Sequence, residues 1–528
     1  MWRHLSIIFI VLFNALSAAA QHEERTRPAD FEQPIPLFAV GLGTSNRSIS
    51  SPNADARAYF NQGVQLMYAF AKAEAGRSFR EAQRRDPECA ICYWGEAWAW
   101  GPYVNGRMTS TEAPRAFGAI KTASALAEDH ASPKERAYIE AMAVRYVEHF
   151  EPADHGREDR AYADAMARVA ERYPDDLDAA TLYAEALFLR LPRPGTFDLA
   201  DPVVARLVRV LEGVLARDIR HPGACHLYIH TTELTAEPER AAACAGHLGT
   251  AMPAASHLNH MPSHTWARMG RWGDAVDASV RAWESDRNSA SGATFATYPA
   301  HDLQMLVLAA CMDGQAALAI RAGQGLTTLA GDPMYHVLAL VRFGRFSEID
   351  ALAPRPAADI SGGVWDFAHG YARLRRADAA GARQFLARVS STAASSSSTF
   401  RFHPARALLG VLAGILEGEI ERAEGRLPEA VAAFEKAVTL DDALVIDDPE
   451  PLPFAARHWL GAALIDAGRF ADAERVYRAD LARHPHNGWS LVGLQRALRA
   501  QRKTTRSVDE DLRRSWARSD VTLKASRF

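Results

Sequence analysis

Apolar residues recur at intervals of three and four from Ala56 almost to the C-terminus, the spacing of a single helical face. Ala, Leu, Arg and Glu dominate this stretch and β-branched runs are scarce, so the pattern predicts one helix after another. Ahead of it, residues 21–55 carry Pro28, Pro34, Pro36 and Pro52 among several glycines and serines. That composition predicts an irregular lead-in without its own core. A serine-rich tract from Ser390 to Ser398 predicts a loop over residues 391–400. The tail from Arg513 to Phe528, with Trp516, is expected to form a capping helix.

The helices fall into units. Counted from Phe454, the residues Gly461, Gly468, Phe470, Ala473, Tyr477 and Pro485 take positions 8, 15, 17, 20, 24 and 32. Counted from Val411, the residues Gly418, Gly425, Leu427, Ala430, Phe434 and Ala437 take positions 8, 15, 17, 20, 24 and 27. This pattern resembles the tetratricopeptide repeat, a helix–turn–helix unit of about 34 residues. Small residues at positions 8 and 20 let paired helices approach closely, and Pro at 32 ends the second helix. Weaker copies begin at Ala56, with Gly63, Phe79, Ala82 and Pro87, and at Ser256, with Gly270, Trp272, Ala275 and Ala282. The expected fold is therefore all-α, a right-handed α-solenoid. A divergent array would occupy residues 56–390, and C-terminal units with a cap residues 401–528.

One stretch carries unusual chemistry. Seven of the 19 histidines lie in the 48 residues from His221 to Arg268. Placed on the repeat, His257, His260, His264 and Arg268 take positions 2, 5, 9 and 13, while His226, His230 and Glu233 take positions 5, 9 and 12 of the preceding unit. The resemblance implies that these positions line a concave groove. Histidines four residues apart share a helical face and can chelate one ion. Neighbouring helices pack about 8–10 Å apart, so two such pairs can converge on one ion or hold two. Imidazole donors suit a divalent transition metal such as Zn, Cu or Fe. The expected ligands are His226, His230, His260 and His264. His257 serves as a further ligand or, with Glu233, as an acid–base group, and Arg268 is placed to hold an anionic substrate group. His221, before Pro222, reads as structural. His301 and Gln304 fall near positions 2 and 5 of the next unit and extend the same wall, and Glu185 lies near position 9 of an earlier one.

Charge and targeting signals narrow the setting. Arg3 and His4 precede an apolar run from Leu5 to Leu16, and Ala18 and Ala20 match a cleavage signal before Gln21. Residues 1–20 therefore read as a secretory signal peptide, and a periplasmic or secreted protein is expected, with no membrane span after its removal. That segment holds one of the 60 basic residues, leaving 59 against 64 acids, a mature charge of about −5 that gives no support for nucleic-acid binding. Five cysteines in so long a chain are no disulfide framework. Cys89 and Cys92 are expected to form a disulfide or play a supporting role, beside Glu96 and the core tryptophans Trp94, Trp98 and Trp100. Neither a nucleotide-binding glycine loop nor a G-x-S-x-G motif occurs, and Glu233 is misplaced for a zinc-protease H-E-x-x-H.

Over nearly its whole length the chain resembles a family of exported bacterial tetratricopeptide proteins. The matching segments include FNQGVQLMYAF, DPECAICYWGEAWAWGP, HPGACHLYIHTTE, HLNHMPSHTWARMGRW and YPAHDLQML. Lys72, Asp302 and Gln304 stand where the family tends to have His, Asn and His, which argues against a site reaching into the 70s or 300s. The resemblance implies architecture more than activity. The leading expectation is a metal-dependent enzyme acting on a small molecule or peptide in the concave groove. The alternatives are a non-catalytic scaffold for a peptide or protein partner, and a metal-binding or delivery protein.

Overall fold

The computed structural model describes residues 31–38, 41–43, 46–151, 155–192, 195–289 and 295–528. The expected signal peptide lies outside the described residues. From Ala54–Tyr68 onward each helix packs on its successor, through Lys72–Arg85 and Ala90–Trp100 to Gly488–Ala500 and Arg506–Ser515. The fold is an all-α solenoid of tetratricopeptide-like helix pairs.

The repeat positions explain the packing. A Cβ on Gly461 would overlap the Tyr477 ring, one on Gly418 the Phe434 ring, and one on Gly63 the Phe79 ring. Position 8 is glycine because the aromatic residue at position 24 occupies that space, and all three rings are fully buried. Gly468, at position 15, adopts φ +72 directly after the first helix of its unit, a left-handed turn that glycine makes without strain. The second helix, Phe470–Arg483, stops ahead of Pro485.

The lead-in has no core of its own but completes that of the array. Phe31, Ile35, Leu42 and Ile49 are buried, and Phe31 stacks on Trp100 at 3.7 Å. Full burial of one such side chain is worth about 1.5–3 kcal/mol. Arg47 lies over the Tyr138 ring at 4.0 Å and faces Asp176 and Asp178 at 3.9 and 3.8 Å.

Three expectations shift. The serine-rich segment is helical through Ser395, because Ala379–Ser395 continues the repeat's second helix. Only its end is irregular, leading into Thr399–Phe400, which pairs antiparallel with His403–Pro404. The capping helix is Arg506–Ser515, and Trp516 lies just beyond it, packed on Trp489. Cysteines that look scattered in sequence are partly paired: Cys225 bonds Cys244, and Cys89 bonds Cys92. Cys311 is a buried thiol pushed up to about 12 by its burial.

Distant units also touch. The helix Pro299–Asp313 packs on Gly488–Ala500, Trp489 Nε1 donates to the Cys311 carbonyl at 2.8 Å, and Trp272 Nε1 donates to the Pro485 carbonyl at 2.8 Å. Among the described residues no helix is long and apolar enough to cross a membrane.

Candidate metal centre

Six histidines meet inside the array: His226, His230, His257, His260, His264 and His301. All are buried, at 0–4% exposure. Four helices supply them. Pro222–Thr232 carries His226 and His230, Ser256–His260 carries His257 and His260, Pro262–Arg268 carries His264, and Pro299–Asp313 carries His301. The first of these is started by His221, whose Nδ1 accepts from the Ala224 amide at 3.1 Å, with Pro222 in the first turn. His221 Nε2 also lies 3.3 Å from Asp178, so this histidine is structural, as its place before Pro222 suggests.

The histidines form two sets of three. In one, His260 Nε2 is 2.7 Å from His264 Nε2 and 2.9 Å from His301 Nε2, and His264 and His301 are 3.5 Å apart. In the other, His226 Nε2 is 3.1 Å from His257 Nε2, and His230 offers a nitrogen within 4.8 Å of both. The pairs His226/His230 and His260/His264 thus each recruit a third histidine instead of converging as four. His257 joins His226 and His230 while staying within 4.8 Å of His260 and Asp302, and His301 completes the set of His260 and His264.

Outer-ring partners fix the tautomers. His226 Nδ1–H donates to the Tyr68 carbonyl at 2.6 Å, leaving the Nε2 lone pair directed into the set. His230 Nδ1–H donates to Glu233 Oε1 at 2.9 Å. His264 Nδ1–H faces Glu233 Oε2 at 2.7 Å and donates to Asp448 Oδ2 at 2.9 Å. His260 Nδ1 lies 3.2 Å from Ser263 Oγ and 3.6 Å from Asp302 Oδ1. Glu233, the residue that caps the His226/His230 helix, therefore joins the two sets.

The electrostatics follow. Burial, helped by His230, holds His226 well below its ordinary value; burial with His226 and His260 nearby does the same to His257. Both are neutral near pH 7, the form that binds a metal. Burial also opposes charge on His264, but Asp448 and Glu233 outweigh it and raise this imidazole. Burial would raise Glu233, yet His264 and His230 hold it well below the usual carboxylate range.

Two aromatic residues with positive φ enclose His257. Phe70, at φ +59, stacks on His257 at 5.5 Å and covers His226 at 4.0 Å. Tyr298, at φ +61, meets His257 edge-on at 5.1 Å, and its hydroxyl contacts that of Tyr103. Non-glycine residues rarely hold this backbone conformation unless the surroundings enforce it.

A narrow cleft reaches His230, His264 and His301, with Asn105, Phe402 and Asp448 on its walls. Asn105 and Phe402 also line a larger, more open groove of about 630 Å³ flanked by Arg107, Arg160 and Arg190. The loop that presents Asp448 is held by Arg401, which pairs with Asp447 at 2.7 Å and donates to the Pro449 carbonyl at 2.6 Å. Arg401 stands at φ +51 in the turn between the two short strands.

Arg268 does not share the histidine cleft. It lines a neighbouring pocket with Glu450, Arg483 and His484, and Nη2 donates to the Thr235 carbonyl at 3.4 Å. Glu233 and Asp448 border both spaces. Arg268 thus stands beside the histidine cleft, across Glu233 and Asp448, and not in its lining. Glu185 is also separate: it accepts from Trp98 Nε1 at 3.3 Å in a pocket behind His226. Lys72, buried and brought down to about 8 by desolvation, donates to the Gly101 carbonyl at 2.7 Å.

Sequence reasoning placed His301 on the same wall without counting it among the ligands, and missed Phe70 and Asp448. His301 carried one usable signal, its place on the first helix of the next unit. Asp448 carried none, since it lies 184 residues from His264 in an irregular loop.

No family model matches the chain, and no curated protein matches it. Among solved structures it is similar to yeast Tom70 (13% identity over 87% of this chain and 96% of that one, TM-score 0.32). It is also similar to the APC/C hetero-tetramer Cut9–Hcn1 (12% identity over 90% and 79%, TM-score 0.31). At these scores neither likeness bears on the site, and the assignment of tetratricopeptide-like architecture rests on the chain's own helix pairs.

Proposed function

We propose that this chain is an exported helical-repeat protein that holds transition-metal ions on its buried histidines and works as a metal-dependent enzyme on a small molecule. One observation carries the reading: the Nε2 atoms of His260, His264 and His301 stand 2.7, 2.9 and 3.5 Å apart. Nitrogens bound 2.0–2.1 Å from a tetrahedral ion lie about 3.3 Å from one another. Carboxylates behind the rings are the usual support for metal-binding imidazoles, and Glu233, Asp302 and Asp448 occupy those places. A bound ion would supply Lewis acidity, an activated water or redox chemistry. Glu233 and Asp448 orient His264, Phe70 and Tyr298 hold His257, and the cleft beside Phe402 admits a small ligand.

Burial weighs against the scaffold alternative. A peptide lying in a repeat groove needs exposed side chains to touch, and these histidines are at most 4% exposed. Enclosure under Phe70 and Tyr298 likewise favours a resident ion over one passed to a partner. Export agrees with two disulfides, which persist in oxidising compartments.

The test is elemental analysis of protein purified without a histidine tag, as isolated and after reconstitution with Zn, Cu or Fe. Wild type should carry stoichiometric metal, and the His226→Ala/His260→Ala variant should lose most of it. Wild type that binds none under any condition would overturn the reading.

A further inference from the structure

Resting on the metal reading above, we infer that the two histidine sets form one dinuclear copper centre, each holding one ion on three imidazoles. Three observations lead there. The sets are equivalent in composition, three imidazoles each. They adjoin: His230 and His264 ring centres are 5.7 Å apart, and those of His257 and His260 5.9 Å. A nitrogen of His257 and one of His260 come within 4.8 Å. Ions in such neighbouring sets lie close enough to share a small bridging ligand, as in other two-metal sites.

The donor set admits copper, and the pairing of the two sets favours it. Imidazole suits copper, and copper(II) heads the affinity order of the divalent ions. Each set holds three imidazoles; Glu233 and Asp448 face the Nδ1 side of His264, and Asp302 lies within 4.8 Å of nitrogens of His257 and His260, where the sets adjoin. Two dications side by side repel four times as strongly as two monocations at the same separation. Neutral imidazoles therefore match a pair that can rest as copper(I), and the carboxylates behind the rings offset the added charge when the pair is oxidised.

The reaction follows from the electron count. Each copper(I) gives one electron and becomes copper(II). The two electrons would take one dioxygen to the level of peroxide, its O–O bond reduced from double to single. No proton is required for that step. The narrow cleft at His230, His264 and His301 admits a diatomic molecule.

The experiment compares copper-loaded wild type with His257→Asn and His226→Asn in one set and His264→Asn and His301→Asn in the other. Circular dichroism identifies the folded variants, and two variants per set keep the comparison alive if one misfolds. Wild type should bind two coppers per chain and each variant one. Oxidised wild type should show an electron paramagnetic resonance signal from under a tenth of its copper, because the two spins cancel. Each variant should show its single copper in full. Anaerobic copper(I) protein should consume one dioxygen per two coppers, and the variants should react at least tenfold more slowly. One copper per wild-type chain, two independent signals, or no dioxygen uptake would each overturn the dinuclear assignment while leaving a metal site standing. No binding of copper, zinc or iron would overturn the metal reading itself.

Discussion

Glu233 Oε2 lies 2.7 Å from His264 Nδ1, tying the second histidine set to a carboxylate on the helix of the first. Its other oxygen accepts from His230 at 2.9 Å. Replacing Glu233 with Gln keeps the shape and removes the charge. Loss of such an outer partner typically costs 10–100-fold in metal affinity. E233Q should weaken metal binding in that range with its helix content unchanged. Competition titration against a chelator of known affinity checks this, and wild-type affinity would show that the carboxylate does not support the ions.

Arg401 should matter as much to stability as to the site. Its guanidinium is buried against Asp447 and the Pro449 carbonyl, so truncation leaves the buried Asp447 carboxylate without its cation, with His403 still 3.2 Å away. Breaking a buried pair from one side costs about 3–5 kcal/mol. R401A should lose that much in chemical denaturation. It should also release Asp448 from His264, so a larger share of its metal should be removed by chelator.

The pH dependence of folding should show the cluster at His484. Glu450 and Asp480 hold this imidazole up at about 10, against the pull of burial, and His484 in turn holds Glu450 down at about 2. A raised histidine contributes fully below its unfolded value of about 6.5, and the contribution fades as pH climbs towards 10. A lowered glutamate contributes fully above about 4.3, and that contribution fades as pH falls towards 2. The pair should therefore stabilise most between about pH 4.3 and 6.5. H484Q should flatten the alkaline limb in urea-denaturation midpoints measured across pH. An unchanged alkaline limb would count against the pairing.

Reduction should loosen the histidine site before the rest of the array. Cys225 adjoins His226, and its bond to Cys244 ties the His226 helix to Ala242–Ala251. Closing a loop of this length is worth about 3 kcal/mol. The C225S/C244S variant should lose about that much, whereas C89S/C92S, which opens a separation of three residues, should lose less. Thermal unfolding of both variants, with and without reductant, separates the two.

How much of this was readable from sequence depends on distance along the chain. The repeat was readable because Gly461 and Tyr477, or Gly418 and Phe434, meet within one unit at fixed spacing. His226/His230 and His260/His264 were readable as pairs because one helical turn brings each together. What periodicity does not encode is the choice of a third partner. His257 turns towards His226 and His301 reaches His260 across helix interfaces, and Asp448 arrives on a loop from late in the chain. The cover over the histidines was unreadable for the same reason. The repeat alone implied a concave groove, whereas the segments that close over it, around Phe70, Arg401 and Asp448, lie in turns and loops between helices.

The contacts between distant units change how this solenoid should come apart. In an open array each repeat answers only to its neighbours, so the ends can fray while the middle stays folded. Here Trp489 bonds to the Cys311 carbonyl, Trp272 to that of Pro485, and Asp448 to His264. The middle and late repeats are fastened like links of a clasped chain. Unfastening the last of them does more than shorten the array: it withdraws a wall from the histidine chamber, so assembly of the site waits for the C-terminal repeats to fold.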